Sequence, residues 1–202
     1  MSSRLRVAAA ALGLMALANP SARAETPVND RARLLKEFSD RAAKYVELQR
    51  SAKDAVPALP KKATPEQIAT HQKALAGAVR ARRDGAQQGE IFFPEVVPLI
   101  LDLLRSDLAP ADAHPAREAI KDGNPRAEPP PARPAEPKPK PVVLVANAAY
   151  PEGAPLSTVP PELLASLPKV PDPLEYRFVG GHLILHDSEA RLVIDFLKET
   201  VP

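Results

Sequence analysis

The chain has 202 residues, with 27 Lys and Arg against 25 Asp and Glu, and 45% of it is hydrophobic. It contains no cysteine, which excludes disulfides, thiolate zinc sites, iron–sulfur clusters and cysteine nucleophiles together. Proline is the outlier: 25 residues, well above the usual ~5%, so part of the chain is neither helix nor sheet.

The first 24 residues read as a secretory signal that is cleaved after Ala24. Arg4 and Arg6 form a basic start, and Val7 to Ala18 is an unbroken run of apolar residues and glycine. Asn19-Pro20 breaks the run, and Ala22-Arg23-Ala24 places small residues where a signal peptidase reads. Twelve residues span ~18 Å as a helix, short of the ~30 Å hydrocarbon core, so a membrane anchor is disfavoured. No later run approaches the length of a membrane span. The expectation is an exported protein, periplasmic or extracellular, without stable membrane insertion.

Cleavage would also reset the charge. The segment carries Arg4, Arg6 and Arg23 and no acid, so removing it leaves 24 bases against 25 acids, net −1. That balance argues against a nucleic-acid partner, which requires a clustered excess of Lys and Arg. The short cluster Arg80-Ala81-Arg82-Arg83 reads as a helix C-terminus complementing its dipole.

Residues 25–124 read as a small helical bundle. From Asn29 to Val56, the residues Leu35, Phe38, Ala42, Tyr45 and Ala52 recur at helical spacing, with Asn29 or Asp30 as cap. A second helix is expected from Pro65 to Arg83, opened by the capping box Thr64-Pro65-Glu66-Gln67. Gly89-Glu90-Ile91-Phe92-Phe93-Pro94 leads into a third, Glu95 to Leu108, the most hydrophobic stretch after the signal. A weaker helix covers Pro110 to Asp122. Residues 125–141 hold eight prolines in 17 positions interleaved with charge, and read as an extended, disordered linker.

Residues 142–202 read as a small α+β module. Val142 to Val145 suggests a strand, and Glu162 to Leu167 a helical turn. Gly180-Gly181 is a two-residue hairpin turn that opposes Phe178 to Leu183, Tyr176 to Leu185, Arg177 to Ile184 and Glu175 to His186. Asp187 or Ser188 would then cap a terminal helix, Glu189 to Glu199, whose Leu192, Val193, Phe196 and Leu197 pack on the hairpin. The fold class is therefore α+β: helical bundle, proline-rich linker, then a hairpin packed on a terminal helix. The two parts either stand apart or close into one unit with the linker as a looped insertion.

Ala149-Tyr150-Pro151-Glu152-Gly153-Ala154-Pro155, Leu174 to Gly180 and Ala190 to Phe196 together resemble the C-terminal end of a family of exported bacterial proteins with no known activity. Gly89 to Phe92 resembles the same proteins more loosely. The resemblance implies export and one hairpin–helix module, and it brings no catalytic residue or cofactor.

No nucleophile elbow, phosphate loop or cofactor motif is present. His182 and His186 have an i, i+4 spacing, but on a strand that separates them by ~13 Å, too far for one metal ion. Both read as solvated. Asp195, between Ile194 and Phe196, reads as solvent-facing or, if buried, as paired with Arg177 or Arg191. The leading expectation is a non-catalytic binding or assembly protein with an envelope protein as partner. The alternative is an exported hydrolase using His186, Asp187 and Glu175, with Arg177 binding an anion.

Overall fold

The computed structural model describes residues 27–108, 114, 117, 120, 143–150, 157–179 and 181–200. The signal and linker segments lie outside the described residues, as do most of the expected helix at 110–122 and Gly180 of the hairpin turn; His114, Arg117 and Ile120 carry helical backbone.

The fold is α+β, with helices in the N-terminal part and an antiparallel sheet in the C-terminal part. Helix α1 spans Pro27–Asp54, α2 Pro65–Arg82, α3 Val97–Leu108, and the short α4 Pro161–Ser166. Helix α1 starts two residues before the expected cap, because proline suits a first helical turn. Helix α2 opens on the expected box: Gln67 N donates to Thr64 Oγ1, and Thr64 N donates back to Gln67 Oε1 at 2.8 Å. Gly85, just past its end, has φ +74, the left-handed conformation that glycine adopts without strain.

Five strands follow: β1 Ala148–Ala149, β2 Ser157–Thr158, β3 Leu174–Val179, β4 His182–Asp187 and β5 Leu192–Leu197. Their order across the sheet is β1-β5-β4-β3-β2. The β3–β4 register is the expected one in all four pairs, and the closing pair Val179↔His182 leaves two residues for the turn. The strand expected at 142–145 is absent from the described part of that segment, residues 143–145; the pairing lies further on, at Ala148 and Ala149 opposite Val193 and Leu192.

The terminal helix is the main correction. Leu192–Leu197 is a strand, paired to β4 on one edge and to β1 on the other. Its six residues are all buried. An apolar run this short, broken only by Asp195, fits a buried strand as well as a helix, and the β-branched Val193-Ile194 pair favours the strand. Asp187 is accordingly not a helix cap. Its Oδ1 accepts from the Glu189 and Ala190 amides, both at 2.8 Å, and so shapes the turn between β4 and β5.

One face of this sheet lies on the helices. Phe38, Tyr45, Leu75, Phe92, Ile100 and Leu104 share a continuous core with Tyr176, Phe178, Leu183, Leu185 and Ile194. The helical region and the sheet are therefore one packed unit. The outer face carries a smaller cluster in which Ala146 and Tyr150 cover Val179, Ile184, Val193 and Phe196.

Candidate functional site

Strand alternation divides the candidate residues. Glu175, Arg177 and His186 stand on the outer face of β3 and β4, whereas Asp187, one residue on, turns toward the helices. There its Oδ2 accepts the Tyr45 hydroxyl at 2.6 Å, across 142 positions of sequence. The expected His186–Asp187 cluster is thus not assembled, because adjacent strand residues point to opposite sides. Burial pushes the Asp187 carboxyl above its ordinary value, opposed by bonds from the Ala190 amide, Tyr45 and the Glu189 amide. Burial, followed by the neighbouring Asp187 charge, also pushes the Tyr45 hydroxyl up, so it remains a proton donor.

On the outer face, Arg177 Nη2 donates to Glu175 Oε2 at 2.7 Å, and His186 Nδ1 donates to Oε1 at 2.9 Å. Burial acts to raise the Glu175 pKa, but the bonds and charges of Arg177 and His186 outweigh it and hold the carboxylate below its ordinary range. His186 is 6% exposed, so the solvated reading was wrong for this residue; the Tyr150 ring stands edge-on at 6.0 Å and helps cover it. Its Nε2 is buried with no hydrogen-bond partner among the described residues. His182 Nδ1 instead accepts the Glu199 amide at 2.9 Å. Among the described residues no group of three or more His, Asp or Glu is placed to hold a metal ion.

Asp195 is the residue the sequence placed least well. It is fully buried, and neither Arg177 nor Arg191 is its partner. Its Oδ1 accepts from the Gly89 and Phe196 amides, and its Oδ2 from the Ile91 and Phe92 amides, all at 2.8–2.9 Å. A β-bulge causes this. Leu185 pairs with Asp195 and His186 with Val193, so Ile194 is an extra residue and Asp195 swings to the helix side. Its neighbour Gly89 has φ +93, a backbone conformation strained for other residues.

A cleft of about 580 Å³ opens beside the Tyr45–Asp187 contact, between α1, the end of α2 and the loop after it. Arg41, Lys44, Arg82 and Arg83 line it together with Asp84 and Glu90. The sequence had assigned Arg82 and Arg83 only to dipole compensation, since Arg41 and Lys44 are remote in the chain. Three further surface concavities have volumes of 320–600 Å³, and none of the four has Glu175, Arg177, His186 or Asp187 in its walls. Among the described residues no helix is long and apolar enough to cross a membrane. No family model, curated protein or solved structure matches the chain.

Proposed function

We propose that this chain is an exported bacterial protein of the cell envelope that acts by binding or assembly without turnover. The observation that carries this reading is the use made of its acids. Asp187 and Asp195 tie the sheet to α1 and to the loop at 89–92, Glu189 ties it to Gln49 and Lys53, and Glu175 is held between Arg177 and His186. Groups so committed build a rigid body whose surface is free to bind. Export is supported by the basic, apolar and small-residue order of residues 4–24 and by the C-terminal resemblance to exported proteins.

Fractionation of producing cells, followed by cross-linking and mass spectrometry on the tagged protein, tests both halves. The expected result is a chain starting after Ala24, outside the cytoplasm, cross-linked reproducibly to one envelope protein. A cytoplasmic chain that keeps its first 24 residues would overturn export. A clean monomer without a cross-linked partner would overturn the assembly role.

One observation favours the hydrolase as a second reading. The Glu175 carboxylate orients the His186 imidazole at 2.9 Å, and the buried Nε2 has no partner among the described residues, a carboxylate–imidazole pair that would serve as a general base once a substrate reached Nε2. On that reading His186→Ala abolishes a turnover while leaving the fold intact; an unchanged rate in the variant would dispose of it.

A further inference from the structure

The cationic cleft holds two kinds of positive charge. Arg83 and Arg41 are braced. The Arg83 side chain is 7% exposed, lies 5.2 Å from the Tyr45 ring centre, and donates to Glu90 Oε2 at 2.5 Å. Arg41 lies 4.2 Å over the Phe93 ring and donates to Glu37 and to the Glu90 carbonyl. Their charges are largely spent on Glu90 and Glu37.

Lys44 and Arg82 are different. Lys44 has no hydrogen bond or ion pair among the described residues, and Arg82 makes one bond, from Nη1 to the Ala78 carbonyl at 3.2 Å. That bond accounts for the helix-end role of Arg82. Lys44 lies in the middle of α1, where no helix terminus calls for a cation. With Arg83 paired to Glu90 and Arg41 to Glu37, Lys44 and Arg82 are left with Asp84 as the one unpaired acid among the lining residues. Between the cations, Tyr45, Leu48 and Ile91 add apolar surface.

We infer that this cleft is a binding site for a small organic anion, with its carboxylate or phosphate between Lys44 and Arg82 and its apolar body against Tyr45, Leu48 and Ile91. Its volume of about 580 Å³ falls within the ~300–1,000 Å³ of small-molecule sites. The braced arginines supply a fixed wall, so the ligand need order only the two rim side chains. The assignment rests on the binding reading above and gives it a ligand class.

The test is titration of phenyl phosphate into the purified full chain, followed by backbone amide NMR, with benzyl alcohol and inorganic phosphate as comparisons. Saturable shifts at Tyr45, Leu48 and Ile91 are expected with phenyl phosphate, and much weaker ones with either comparison. The double variant Lys44→Glu, Arg82→Glu should bind about tenfold or more weakly, because it reverses both unpaired cations. Both residues are exposed, but Arg82 closes α2, so the double Glu variant should show a slightly lower thermal midpoint; Lys44→Ala, Arg82→Ala places no acid at that helix end and should keep a midpoint close to the parent's. No saturable shift, or equal affinity in both variants, would overturn the site. Equal binding of benzyl alcohol would overturn its anion half, and equal binding of inorganic phosphate its apolar half. A null titration beside a reproducible cross-linked partner would remove this ligand and leave the assembly reading standing.

Discussion

The two faces of the sheet use buried charge in opposite ways. On the helix side, Asp187 and Asp195 are fully buried and satisfied by groups from other elements: the Tyr45 hydroxyl and the amides of the loop at 89–92. On the outer side, Arg177 and His186 both donate to Glu175 across a single strand pair, while Arg177 Nε and His186 Nε2 stay buried without a partner among the described residues. The first arrangement docks two parts of the chain, since separating them takes the Tyr45 hydroxyl from Asp187 and the Gly89, Ile91 and Phe92 amides from Asp195. The second only neutralises a row under the thin cover of Ala146 and Tyr150. Polar contacts on the helix face therefore carry the union of helices and sheet, and those on the outer face carry local order.

Four measurements sharpen that contrast. Asp195→Ala should have the largest effect, because it strands the Gly89, Ile91 and Phe92 amides, two of them in buried bonds. A loss of roughly 3–5 kcal/mol in urea unfolding is expected. A loss below about 1 kcal/mol would mean that the loop re-forms its bonds elsewhere and that the tie is weak. Tyr45→Phe removes one donor and leaves Asp187 its two turn amides, so about 1–3 kcal/mol is expected in the same assay.

The outer row should appear chiefly in the pH profile. The Glu175 carboxyl is held below its ordinary 4.5 in the folded chain, so the unfolded chain takes up the proton more readily. The stability it contributes is present above that value and is lost as pH falls through the lower folded value. Glu175→Gln should therefore flatten the acid side of a plot of Tm against pH; an unchanged acid limb would show that the row contributes no charge-dependent stability. Lys53→Ala should matter least. Its bond to Glu189 is short, at 2.7 Å, but both side chains are more than two-fifths exposed and solvent screens the pair. A loss of less than about 1 kcal/mol is expected by denaturation, and a larger one would place this rim contact among the docking ties.

Much of the local structure is legible in the chain itself. The capping box before Pro65, the stripe of Phe38, Ala42 and Tyr45, and the Gly-Gly turn with its cross-strand pairs each depend on residues a few positions apart. Local spacing is enough to place them. Leu192–Leu197 was misread because its apolar run is too short to distinguish periods of 2 and 3.6, and its pairing with β4 and β1 cannot be seen from within the segment. The site residues divide in the same way. Glu175 opposite His186 follows from hairpin register, whereas Asp187 with Tyr45 joins residues 142 positions apart.

By itself, then, the sequence determined the α+β class, helices α1 to α3, the hairpin register and the absence of cysteine chemistry, because those depend on composition and short-range spacing. Only the tertiary structure decided that Leu192–Leu197 is a strand, that Asp195 faces the helices, and that Lys44 and Arg82 line one cleft. Each of these is set by a bulge or a docking contact between distant segments, and no local periodicity encodes which distant partner a buried group will find.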